Sequence, residues 1–524
     1  MNKAESVKEE APLLSLMALL FGGLAQYLFV DQMPGASVPV MVAAFYGVFF
    51  YISKGKSEAG VSLAKQPFVL HGLFAAVILL SMSYLLFDNG LFRFLNVPVL
   101  AVLLVLHPLL LRQGTGRRKE IGGWFGAWIY AAVGAPLERL PVPFRLIAGR
   151  LRSGRQDNPA ARKLRSVGLG ILLALPVLAV ALVLLMSADS IFSSWLDWIP
   201  QTLSRVTFGE GVFRTIFALV AALYLFCFLW ALVVERLTNP FRRRPELHPE
   251  LIDRPSGGWG EAARFGEALR LDPLAAATFL FLINALYVLF AAVQFAYLFG
   301  AARGLLPDGV NYADYTHQGF AQLVLVALIN LGLLLLGLRV IRPGSPGMER
   351  LRKILLSLLI GCTLVMLISA FSRLSLYEDA YGYTVLRLLV HGFMFYVGAL
   401  FLAALVRIWR EGLPLAKLFL AISAIAYLAM NYVNLDARIA ANNLDRYERT
   451  GKIDFVYLGT LSADAYPALH RFQMSHHAGG GPAELQDILD SMREEARNTL
   501  RHGWPSWNLA SWRTQAGHPR PGGA

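Results

Sequence analysis

Charge is scarce in this chain and cysteine scarcer. Of 524 residues, 16% are charged and two are cysteine. A soluble protein carries about 25% charged residues, so the shortage excludes a soluble globular enzyme and a disordered chain. The two cysteines, Cys227 in LYLFCFLW and Cys362 in LLIGCTLV, sit in apolar runs. They read as small hydrophobes in helices, which excludes a disulfide scaffold and points to no zinc or iron–sulfur site. Dyad alternation is missing as well, and the apolar runs are too long for strands, which argues against a barrel. Apolar residues dominate instead: 56% are hydrophobic and the mean hydropathy is +0.51. The net charge of +13, with a pI near 9.7, would suggest nucleic acid in a soluble protein. Where that charge sits decides its meaning.

A helix needs about 20 apolar residues to cross the hydrocarbon core. Runs of this kind lie near 12–30, 37–53, 68–87, 92–111, 167–186, 212–234, 274–299, 319–340, 354–371, 384–408 and 415–433. The expected fold is an all-α polytopic membrane bundle of about eleven transmembrane helices. The run 37–53 is short enough to be half of a re-entrant hairpin. Pro98, Pro108 and Pro176 interrupt their runs, as simple kinks or as breaks whose freed carbonyls line a transport site.

Lysine and arginine set orientation. The N-terminal tail and the connections 54–66, 112–166, 235–273, 339–353 and 407–417 hold 32 of the 48 bases. The opposite connections, with adjoining span ends, hold six, and the remaining ten lie after residue 433. The alternation places the N-terminus in the cytoplasm and the C-terminal tail outside. Four regions follow: a four-span region 1–111, a basic amphipathic cytoplasmic loop 112–166, a seven-span region 167–433 and a helical extracytoplasmic tail 434–524.

The loop 112–166 carries most of the excess, a net +9, beside Trp124, Phe125, Trp128 and Ile129. It reads as short helices on the inner leaflet, with anionic lipid as partner. The bilayer is the expected partner of the whole chain, and nucleic acid is not expected. Connection 235–273 balances seven bases with seven acids and contains a short helix near 257–270.

Polar residues in or beside spans are costly and invite a function. They gather in the second half of the chain. Asp314 and His317 stand in NYADYTHQGFAQL. Arg373, Tyr377, Glu378, Asp379, Tyr381 and Tyr383 precede Arg387 and His391, which share a helix face. Asp436, Asn442, Asn443 and Arg446 follow the last span and can contact that cluster. Arginine forks suit phosphate, and Glu378 or Asp379 suits a base. A structural ion-pair network that docks the tail is the plainer account. Asp314 with His317 lacks a third ligand at a fixed spacing, so neither a metal nor a cofactor is expected. Asn284, Gln294, Gln322 and Asn330 read as hydrogen-bonding glue between helices.

YADYTHQGFAQL, SRLSLYEDAYGYTVLRL, NLDARIAANNLDRY and GKIDFVYLGTLSADAYPAL occur in this order over roughly 270–470. Together they resemble the bacterial membrane-protein family called domain of unknown function 4173, and its relative 4153. The resemblance implies an inner-membrane protein and transfers no catalytic residue. In the tail, LSADAYPALHRFQ reads as a helical turn closed by Pro467. Leu485, Ile488, Leu489, Met492 and Ala496 stripe one helix, and Trp504, Trp507 and Trp512 follow together.

Three functions remain open: movement or binding of a small molecule or lipid at the outer face, a membrane-embedded enzyme acting there on an anionic lipid or sugar-phosphate, or a non-catalytic scaffold or regulatory subunit. A cavity reaching the midplane favours the first, a closed pocket beneath the tail the second, and a solid bundle the third.

Overall fold

The computed structural model describes residues 3–54, 67–113, 126–152, 208–234, 273–301, 312–339, 345–410, 412–476 and 482–516. Among these, every regular element is helical. Eight helices are long and apolar enough to cross a membrane, and Ser37–Ser53 and Gln322–Leu338 are shorter apolar helices. These match ten of the eleven expected runs; the run 167–186 lies outside the described residues, as do Pro176 and the segment 257–270. The chain divides into two compact units. One is Met1–Arg243 with Glu495–Gln515, the other Arg244–Glu494 with Ala516–Ala524.

In the first unit the helices are α1 (Lys3–Phe29), α2 (Ser37–Ser53), α3 (Phe68–Leu86), α4 (Gly90–Gln113), α5 (Pro141–Arg152) and α6 (Phe208–Leu229). The run 37–53 is one unbroken helix. So is α4, which carries Pro98 and Pro108 inside it. Pro98 and Pro108 therefore do not end the helix. α1 packs along α6. Apolar burial does not drive helices together in lipid, so close backbone approach and interhelical bonds must. Gly22 provides that approach: a Cβ there would collide with the Ala218 carbonyl oxygen and meet the Ala222 Cβ at 2.8 Å.

The described part of the basic loop packs against α4 and α6. Trp128 Nε1 donates to the Val102 carbonyl at 3.2 Å, and Tyr224 donates to that of Ala132 at 3.1 Å. Val102 lies about 15 Å along α4 from Arg112, at 1.5 Å per residue. Ala127, Ala131 and Ala135 are buried. The turn Tyr130–Gly134 is a π-helix. Its wider winding disturbs the backbone ladder, and an apolar setting demands that disturbed carbonyls find partners. The Tyr224 hydroxyl supplies one. A second π-turn, Trp230–Val234, ends α6, and Arg112 donates to its Val233 carbonyl at 3.2 Å.

In the second unit come α7 (Pro273–Ala301), α8 (Tyr312–Arg339), α9 (Pro346–Tyr381), α10 (Val385–Trp409), α11 (Leu415–Tyr432), α12 (Leu435–Thr450), α13 (Tyr466–Ser475) and α14 (Ala483–Arg501), the last crossing the unit boundary. α9 packs against α7, α8 and α10, and α10 against α11. Leu323, Leu356, Met366, Leu374, Val397 and Phe401 form part of their common core. The amides act as expected. Asn284 donates to the Leu355 carbonyl at 2.9 Å, and Tyr287, Asn330 and Thr363 form a chain with bonds of 2.8 and 2.9 Å. Gln322 is exposed, and the Gln294 side chain lies outside the described residues. Pro467 opens α13 at its first turn rather than closing it, since its fixed φ suits that position. On α14, Leu485, Leu489, Met492 and Ala496 are buried and Ile488 is half-buried.

Gly22→Val should lower the stability of the detergent-solubilised protein by about 1–3 kcal/mol through overpacking. Gly23→Val, where nothing lies within 4 Å, should be close to neutral. Equal shifts in thermal unfolding for the two variants would remove the close-packing account of α1 and α6.

Candidate functional site

α9 has 36 residues, about 54 Å at 1.5 Å per residue. A hydrocarbon core of about 30 Å leaves its ends outside, and the C-terminal end carries the polar cluster. The last carbonyls of any helix lack intrahelical partners. Here Arg446 of α12 meets them. Its Nε donates to the Asp379 carbonyl at 2.8 Å, one terminal nitrogen to Ala380 at 2.5 Å and the other to Lys452 at 2.8 Å. Arg446 is 7% exposed, so these bonds replace its water. A cation at a helix C-terminus also complements the helix dipole.

The turn that follows is held by Asn443. Its Oδ1 accepts from the Tyr383 N–H at 2.9 Å and its Nδ2 donates to the Tyr383 carbonyl at 2.8 Å. One side-chain amide thus pairs a backbone residue as a neighbouring strand would. Gly382 caps α9 with φ +89°, and a Cβ there would meet Asn443 Oδ1 at 2.8 Å. Glycine is required on both counts. The Val385 N–H, an orphan donor in the first turn of α10, donates to the Tyr457 hydroxyl at 2.8 Å. Burial pushes the Tyr457 phenol upward from its usual range.

α12 is set in place by its own caps. Asn434, at φ +53°, breaks it from α11 and accepts from the Ala437 N–H at 3.3 Å. Gly451, at φ +67°, ends it. Asp436 in its first turn is 3% exposed and accepts from the Ser462 N–H at 3.2 Å and hydroxyl at 2.5 Å. That tie fastens the segment before α13 to α12. Asn442 is half-buried beside Asn443.

The remaining cluster residues divide by role. Arg387 donates to the Gly382 and Tyr381 carbonyls, and its guanidinium lies 4.4 Å from the Tyr377 ring centre. Asp379 accepts from the Tyr383 hydroxyl at 3.0 Å and faces Arg449 at 3.7 Å. Burial, then the bond to Asp379, pushes the Tyr383 phenol up to about 12. Glu378 is different. It is 3% exposed, its Oε2 lies 3.3 Å from His391 Nδ1, and its Oε1 has no hydrogen-bond partner. His391 Nε2 lies 3.4 Å from Ser375 Oγ and 3.5 Å from the Phe371 carbonyl, and the imidazole packs on the Phe371 ring. Arg387 and His391 share a face of α10 yet serve different partners.

Arg373, in the same stretch of α9, has a partner of its own. Asp314 and His317 belong to the first turns of α8, with their side chains outside the described residues. Among the described residues no group of three or more His, Cys, Asp or Glu could hold a metal ion. A small cleft of about 10 Å³ opens at the other end of α9, lined by Pro273, Ala277, Leu280, Met348 and Arg352. Sequence reasoning missed Tyr457 and Ser462. Their partners are backbone and carboxylate groups remote in the chain, and no local spacing announces them.

Removing Asn443 or Arg446 strands buried backbone groups, each costing about 1–3 kcal/mol. Asn443→Ala and Arg446→Ala should each speed tryptic cleavage at Arg438, Arg449 and Lys452 in the purified protein. Asn442→Ala should leave it unchanged. Cleavage at the wild-type rate in both of the first two variants would show that the tail is held by something else.

No curated protein and no solved structure matches the chain. The family likeness extends well beyond the motifs of 270–470, starting within α3 and ending within α13. Of the two related families, the second is the one whose model matches. Over residues 74–472 the match is to the domain of unknown function 4153 (DUF4153), and the chain belongs to that family.

Proposed function

We propose that this protein resides in a bacterial inner membrane, N-terminus inward, and moves or binds a small molecule using Glu378 and His391 as a proton-carrying pair. The observation that carries this reading is the buried contact between Glu378 and His391, with one carboxylate oxygen left without a partner. Structural pinning in this bundle is done by neutral amides, as at Asn284 and Asn330. An acid in such surroundings costs several kcal/mol when charged and unpaired. A buried ionisable group beside a span invites a functional reading. An acid touching an imidazole can take up, pass or release a proton without a large movement.

The anionic-headgroup reading has less support. Arg446 spends its three nitrogens on carbonyl oxygens of the chain, and Arg387 places one nitrogen on two of them. The enzyme reading would need Glu378 or Asp379 to meet a substrate; Glu378 is buried, and Asp379 is engaged by Tyr383 and Arg449. The scaffold reading draws on the same saturated clamp but leaves the Glu378–His391 contact without a use.

Infrared difference spectra of the full chain in nanodiscs, taken across a pH step, test the proposal. A carbonyl band from a carboxyl gaining or losing its proton should appear in the wild type and vanish in Glu378→Gln. His391→Asn should displace that band. The tryptic pattern should stay as in the wild type, which separates proton loss from unfolding. A band unchanged in Glu378→Gln would sink the reading.

A further inference from the structure

The first unit contains a second fastening, unrelated to the Glu378–His391 contact. The loop between α1 and α2 holds the chain segment 504–508. The Met33 N–H donates to Ser506 Oγ at 2.9 Å, and Ser506 Oγ donates to Gln32 Oε1 at 2.9 Å. The Ala36 N–H donates to the Trp507 carbonyl at 2.8 Å. Gly35 allows the approach, since a Cβ there would stand 2.6 Å from the Ser506 and Trp507 carbonyl oxygens. Ser506 and Asn508 are fully buried. Asn508 then caps the helix α15 (Leu509–Ala516), accepting from the Ser511 N–H at 2.8 Å.

This seat fixes the depth of Trp504. Its Nε1 donates to the Tyr27 hydroxyl at 2.9 Å, with ring centres 6.0 Å apart. Tyr27 stands in the last turn of the membrane-length stretch Ala11–Phe29. It falls on the same helical face as Leu16 and Leu20, which are 56% and 65% exposed. An exposed leucine stripe on a spanning helix is a lipid-facing stripe. Tyr27, Trp504 and Trp512 are each about half exposed. Half-exposed tryptophan and tyrosine at the end of such a stripe have the chemistry of the headgroup layer, apolar in the ring and hydrogen-bonding at the tip.

We infer that segment 504–512 is an interfacial membrane anchor, with Trp504 and Trp512 in the phospholipid headgroup layer beside Tyr27. The segment therefore lies on the same side of the membrane as the α1–α2 loop, whichever side that is. This inference does not depend on the proton-carrying reading.

The test uses the full chain in vesicles of phosphatidylethanolamine and phosphatidylglycerol. Trp512→Cys and, separately, Trp504→Cys would carry a fluorophore; Cys227 and Cys362 are buried and should resist labelling. Quenching should be stronger from lipid spin-labelled near the headgroup than from lipid labelled at the chain end, and a label at Glu484→Cys should be quenched by neither. In parallel, Ala36→Cys with Trp507→Cys should form a disulfide on mild oxidation, because their backbones are hydrogen-bonded. This pair checks the seat without touching Trp504. A disulfide with no quenching at 504 or 512 would mean a docked segment away from lipid and would overturn the inference. Absence of the disulfide in folded protein would overturn it also.

Discussion

A long helix that ends beyond the hydrocarbon core presents four carbonyls with nothing to accept from. The second unit is organised around meeting that demand. Arg446 reaches two of the last carbonyls of α9, Asn443 pairs the next turn, and Tyr457 takes the first free donor of α10. Gly382, the caps of α12 at Asn434 and Gly451, and the Asp436–Ser462 tie follow from this arrangement. Each either lets the turn bend or holds α12 in reach of it. The charge on Arg446 is compensated by carbonyl dipoles, so the site needs no acid.

The same economy applies in the first unit. Both π-turns have a carbonyl met by a side chain from elsewhere, Tyr224 for one and Arg112 for the other. The segment 504–508 seats its hydrogen bonds on the α1–α2 loop. Among the described residues Asn284 and His107 each keep one buried polar atom without a partner, and so does Glu378. It is a buried carboxylate with one oxygen satisfied by an imidazole and the other by nothing.

The helical fold was legible because lipid forces it. A chain with 56% hydrophobic residues in long runs can satisfy its backbone only as helices, and ten of the eleven runs coincide with helices. Pro98 and Pro108 allow a kink or a break, and α4 runs unbroken through both. The site was legible as composition and not as wiring. Asn443 and Arg446 could be suspected from their polarity beside a span, but their partners are main-chain atoms, which carry no residue signal. Glu378 and His391 stand thirteen positions apart on different helices, so no periodicity links them. The i, i+4 spacing of Arg387 and His391 pointed to a shared face and said nothing of the opposite uses to which they are put.

Amide hydrogen exchange at Tyr383 and Val385, in the full chain in nanodiscs, tests the central claim most directly. Both N–H groups lie where α9 turns into α10, and each depends on one tail side chain for its acceptor, Asn443 and Tyr457. The account predicts strong protection of both, with Tyr383 losing its protection in Asn443→Ala and Val385 losing its own in Tyr457→Phe. Exchange at these two amides as fast as in an unstructured peptide, in the unaltered protein, would contradict it.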